Sequence, residues 1–94
     1  MANDVPPEFY DCVDKFIHLA NEMTGEHGTT RVSAVILFAA ARYNAHCMLA
    51  QDPDLLQNRA KAIEYFLEQY RMMLDDNIDW LTRLQSKDNN DSSK

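Results

Sequence analysis

A chain of 94 residues and 10.9 kDa, 46% apolar and 26% charged, folds as one domain, and nine basic against fifteen acidic side chains leave it at −6. Its two glycines and three prolines are too few for a many-stranded fold that turns roughly every eight to twelve residues. The basic residues Lys15, Arg31, Arg42, Arg59, Lys61, Arg71 and Arg83 are scattered, so they form no dense stripe that would neutralise phosphates, and nucleic acid is not expected as a partner.

The punctuating residues fall at three places and divide the chain into three helices. Pro6 and Pro7 stand where a missing backbone N–H costs little, and the acids Glu8 and Asp11 suit the positive end of a helix. From there Phe9, Val13, Phe16, Ala20 and Met23 recur at helical spacing, with Cys12, Ile17 and Leu19 widening the stripe. Asp11, Asp14, His18 and Glu22 occupy the opposite face. Thr24 and Gly25 are expected to end this helix, and Glu26 to Thr29, with Gly28, to form a short connector.

The second helix is expected from Thr30 to Ala50, capped by Thr29 or Thr30. Its apolar residues, from Val32 through Leu49, lie nearly all round, which predicts cover on more than one side. Its most apolar run, Val32 to Ala41, is broken by Ser33 and closed by Arg42, short of the roughly 20 residues a bilayer span needs. The start, MANDVPPEF, has no basic stretch followed by an apolar one, so the expected location is cytoplasmic. Cys12 and Cys47 are expected there as reduced, buried thiols.

Asp52-Pro53-Asp54 is a strong start signal and places the third helix from Pro53. Its stripe runs Leu56, Ala60, Ile63, Leu67, Tyr70, Leu74, Ile78, Leu81, flanked by Phe66, Met73, Trp80 and Leu84. The final QSKDNNDSSK is polar throughout and is expected to be disordered. The domain plan is a flexible stretch 1–5, a three-helix domain 6–84 and a tail 85–94.

The fold expected from these elements is all-α, an antiparallel three-helix arrangement with a long third helix. With an equal rise per residue, counting outward from the two turns levels Phe16 with Ala39 and Phe66, and the chain's own core ends near Leu74. Beyond it Ile78, Trp80, Leu81 and Leu84 continue the stripe without cover, the mark of an interaction surface. A second face of helix two, Ala34, Leu37, Ala41, Ala45 and Met48, has small residues that admit another helix closely. The expectation is a two-fold homodimer whose interface includes Leu37, Ala41, Met48, Leu74, Ile78, Trp80, Leu81 and Leu84.

Two polar groups could carry chemistry. Asp14 and His18, with Asp11 and Glu22, share a face but lack a ligand from another helix, so no metal is expected there. Arg42, Asn44 and His46 lie on a mostly apolar helix, where polar groups need partners. The same level-matching brings Arg42 toward Glu64 or Glu68 and His46 toward Arg59. This cluster reads either as ion pairs that fix register or as a pocket for a small anion or metal. No nucleophile with a base and an orienting third group is visible, nor a glycine-rich phosphate cradle. Neither catalysis nor a cofactor is expected.

Three segments, FYDCVDKFIHLAN from Phe9, RVSAVILFAAARYNA from Arg31 and AIEYFLEQYRMMLDDNID from Ala62, resemble a family of small all-helical bacterial domains of unknown function. The resemblance rests on LAN, AARYNA and EYFxxQYRxML. It implies a bacterial cytoplasmic domain and assigns no catalytic residue. The function expected is that of a homodimeric interaction or regulatory module, with neither nucleic acid nor membrane as a partner; the alternative is a small-anion or metal-binding protein using the cluster around Arg42 and His46.

Overall fold

The computed structural model describes residues 5–92 and consists of three helices, α1 (Pro7–His27), α2 (Thr29–Gln51) and α3 (Leu55–Ser92), with no strand among the described residues. Most of the N-terminal stretch expected to be flexible, residues 1–4, and the last two residues of the tail lie outside the described residues.

Helix α1 begins as its prolines dictate. Pro6 is extended at φ −69° and ψ 155°, Pro7 opens the helix, Glu8 lies in the first turn, and the Phe9 N–H donates to the Pro6 carbonyl at 3.0 Å. Gly25 does not end the helix, contrary to expectation. A glycine in right-handed helical geometry costs only about 1 kcal/mol relative to alanine, and α1 runs through it to His27. The break falls at Gly28, at φ 85° and ψ 155°, a region essentially reserved for glycine. There the chain changes direction within one residue. The Gly28 N–H donates to the Thr24 carbonyl at 2.9 Å, the Gly28 carbonyl accepts from Val32 at 3.1 Å, and the Thr24 hydroxyl donates to the Ala20 carbonyl at 2.9 Å. The backbone groups at this junction are thus largely satisfied by one another. Gly28 therefore holds the cap position of α2, with no side-chain cap, and Thr29 is helical rather than capping.

Helices α1 and α2 pack against each other. Near their junction Ala20, Met23 and Thr24 are half-buried, and Val32, one turn into α2, is 3% exposed. Burial elsewhere on the pair is slight: Phe16, expected at the level of the core, is 74% exposed, and Phe9, Ile17, Leu19, Val35, Ile36 and Leu37 are also exposed. Cys12 is exposed and Cys47 half-buried, both free thiols, so the expected burial fails for Cys12, which lies on an uncovered part of α1.

Helix α2 reaches Gln51, and the Asp52 N–H closes it on the Met48 carbonyl at 2.8 Å. Its 23 residues include an 18-residue window of mean hydropathy 1.3, so it is long and apolar enough to cross a membrane by length and composition. The apolar run of Val32 to Ala41 is not the whole of it: the apolar character resumes beyond Arg42 through Ala45, Cys47, Met48 and Leu49. A helix covered on several sides by protein meets the same criterion.

Contacts divide the chain at Pro53 into the α1–α2 hairpin and the α3 segment. The first helical residue of α3 is Leu55, two residues later than expected, because the Asp54 carbonyl accepts from both Gln57, at 2.9 Å, and Asn58, at 3.3 Å, which places Asp54 at the cap. The helix then runs for 38 residues, about 57 Å at the standard rise. It continues to Ser92, through most of the tail that composition reads as disordered. Nothing in Gln85 to Ser92 is a glycine or proline, so no residue there breaks a helix already propagating. Within α3 Leu55, Ala62, Phe66 and Gln69 are half-buried, while Leu56, Ile63, Leu67, Tyr70, Leu74, Ile78 and Leu81 are exposed.

Candidate interaction surface

Residues spaced by three or four positions share one side of a helix, and this rule gathers one row of α2. Along α2, Arg31, Ala34, Val35, Phe38, Ala39, Arg42, Tyr43 and His46 line an open groove of about 780 Å³. It is floored by apolar groups and carries two guanidinium groups and an imidazole. Phe38 and Arg42, one turn apart, are joined by a cation–π contact: the guanidinium carbon stands 4.9 Å from the ring centroid. The face of the aromatic ring attracts the cation, and the contact orients Arg42 within the groove.

Of the expected cluster of Arg42, Asn44, His46 and Glu64, the first three lie on α2 and only two of them share a side. Arg42 and His46 line the groove. Asn44 is two residues from each of them, a spacing that does not share a face, and it is half-buried elsewhere on the helix. Glu64 is exposed on α3. Glu68 makes a forked pair with Arg71 on its own helix: Nε donates to Oε1 at 3.1 Å and one terminal nitrogen to Oε2 at 2.6 Å. Hydrogen bonding to Arg71 first, and its charge second, hold the Glu68 carboxyl below the usual carboxylate range. The same two causes raise Arg71, with a small addition from Asp75.

Arg31 is the member that sequence reasoning missed. It was grouped with the scattered bases, yet the series 31, 35, 38, 42, 46 is a single helical row, and that row was the signal.

The expected interface residues divide between the helices. Leu37, Ala41 and Met48 share one side of α2, with Leu37 and Ala41 exposed and Met48 half-buried. On α3, Leu74, Ile78, Trp80, Leu81 and Leu84 are all exposed, Trp80 at 53%. The polar row of α1 places His18 beside Glu22, Nε2 to Oε1 3.8 Å, with both side chains well exposed; it does not gather Asp14 or Asp11 into a site. Among the described residues no three histidine, cysteine, aspartate or glutamate side chains converge in a way that could hold a metal ion.

Asn77, one of the polar residues within the resembling segments, donates from Nδ2 to the Met73 carbonyl at 2.7 Å, a local bond along the helix that turns its amide toward its own backbone.

Comparison with known proteins finds no matching curated protein and no matching solved structure. A family does match, and it spans α1, α2 and the first two-thirds of α3, including the three segments singled out in the sequence. Residues 9–81 match the family described as "Protein of unknown function (DUF3144)", and the chain belongs to that family.

Proposed function

We propose that this chain is a homodimeric protein-interaction or regulatory module of the cytoplasm, whose three helices pack antiparallel and whose third helix is completed by a second chain. The observation that carries this reading is the apolar stripe of α3, exposed from Leu56, at 79%, to Leu84. A contiguous exposed apolar surface is the usual mark of a binding face, and closed two-fold dimers are the commonest way to cover one. Helix α2 adds a second uncovered surface through Leu37 and Ala41. The role is binding and not catalysis.

Sedimentation equilibrium tests this directly. A dimer with dissociation in the micromolar range or below is expected; a monomer at high micromolar concentration would end the reading.

The groove on α2 favours a second reading, a small-anion site using Arg42, His46 and Arg31. Native mass spectrometry after purification without chelator separates the two: added mass per chain that disappears in Arg42→Ala supports the anion, whereas an unliganded dimer supports the module.

A further inference from the structure

All fifteen acidic residues of the chain lie outside α2, which carries two arginines and no carboxylate between Thr29 and Gln51. In a protein of charge −6, this helix has the opposite sign. Both arginines line the same apolar groove, together with Phe38 and His46. Eleven residues separate Arg31 from Arg42, about 16 Å along the axis. An occupant should therefore be apolar, acidic and about that long.

The exposed far part of α3 has this character. From Leu74 to Leu84 the sequence is LDDNIDWLTRL, with three aspartates and one arginine among five large apolar side chains, over about 15 Å of helix. Asp76 and Trp80 are one turn apart, so an acid adjoins the largest apolar group of the stripe. We propose that the groove of α2 receives the Leu74–Leu84 segment of a second copy of this chain, with Asp76 and Asp79, about 4.5 Å apart along their helix, lying between Arg31 and Arg42. This rests on the homodimer reading and deepens it: the cationic cluster joins the dimer interface, used twice in the two-fold assembly. Opposite charges across the contact set partner choice and register, and like charges there oppose association.

Charge exchange between two variants tests the pairing. R31E/R42E places acids in both grooves of its homodimer, and D76K/D79K places bases opposite both native grooves, so each variant alone is expected to weaken dimerisation by about tenfold or more. In the mixed dimer both contacts are complementary again, one exchanged and one native. An equimolar mixture is therefore expected to regain a dimer by sedimentation equilibrium, each variant having been checked for native helix content by circular dichroism. R42Q, a gentler change, is expected to weaken the dimer in the same direction, and added salt to weaken the wild type. A wild-type dimer indifferent to these charges, or a mixture that stays monomeric, overturns the groove assignment and leaves the homodimer standing; a monomeric wild type overturns both.

Discussion

The guanidinium carbon of Arg42 stands 4.9 Å from the centre of the Phe38 ring, one turn earlier on the same face of α2. The contact keeps a charged group close against an apolar surface, where the aromatic quadrupole substitutes for some of the lost water. Its energetic worth at an exposed site is about 0.5–1 kcal/mol. Phe38→Leu should therefore lower stability by about that amount in urea titrations, with Arg42→Ala giving a loss of the same order. Both measurements need one fixed protein concentration, because the proposed dimerisation would add to apparent stability. A much larger loss in Arg42→Ala would mean that the arginine fixes the fold and not the surface.

Gly28 and Gly25 offer opposite responses to the same substitution. At neither would an added Cβ meet any atom within 4 Å, so backbone conformation alone decides. Gly28→Ala forces φ 85° on a residue that avoids it and is expected to cost about 1–3 kcal/mol. Gly25→Ala, inside α1, should stabilise by about 0.5–1 kcal/mol. Paired denaturation curves check the difference in sign.

The Glu68–Arg71 pair gives a pH dependence with a defined direction. Because the folded carboxyl titrates below its unfolded value, its contribution is complete above the ordinary carboxylate range and is lost as pH falls through the lowered folded value. Both side chains are well exposed, so the effect on stability is small. Carbon-detected NMR titration should show Glu68 below an ordinary glutamate, and Arg71→Gln should return it to the usual range.

Trp80 supplies a built-in reporter. It is half exposed in the single chain, and the proposed dimer covers it. Its emission should shift to the blue as protein concentration rises through the dissociation constant. Trp80→Ala should weaken association by about 2 kcal/mol or more, near thirtyfold, as expected for a buried aromatic anchor. An emission maximum that ignores concentration would place Trp80 outside the contact.

The helices were legible because their apolar residues recur every three or four positions and because Pro7 and Pro53 stand where helices begin. The ends were less so. Gly25 and Gly28 look alike as letters, and only the dihedral angle shows which one turns the chain. Gln85 to Ser92 read as disorder because polar composition reports a missing core and says nothing about whether a helix already under way has reason to stop. The groove was half legible: Arg42 and His46 stood out as polar groups on an apolar helix, while Arg31 did not, being near the start of α2. Asn44 was included by closeness in sequence, which on a helix is not closeness in space. The Glu68–Arg71 pair was legible from the same periodicity, a base standing three residues after an acid.

The uninterrupted length of α3 has a consequence for stoichiometry. Helix α2, with 23 residues, reaches about 35 Å, against about 57 Å for α3. Wherever an α3 is laid along an α2, about 22 Å of it, some four turns, must overhang one end or be divided between the two. With no glycine or proline inside it to fold the excess back, that overhang is a stiff prong. Pairing α2 with α3 thus leaves every assembly with helix to spare, a handle of fixed length that the pairing itself cannot use up.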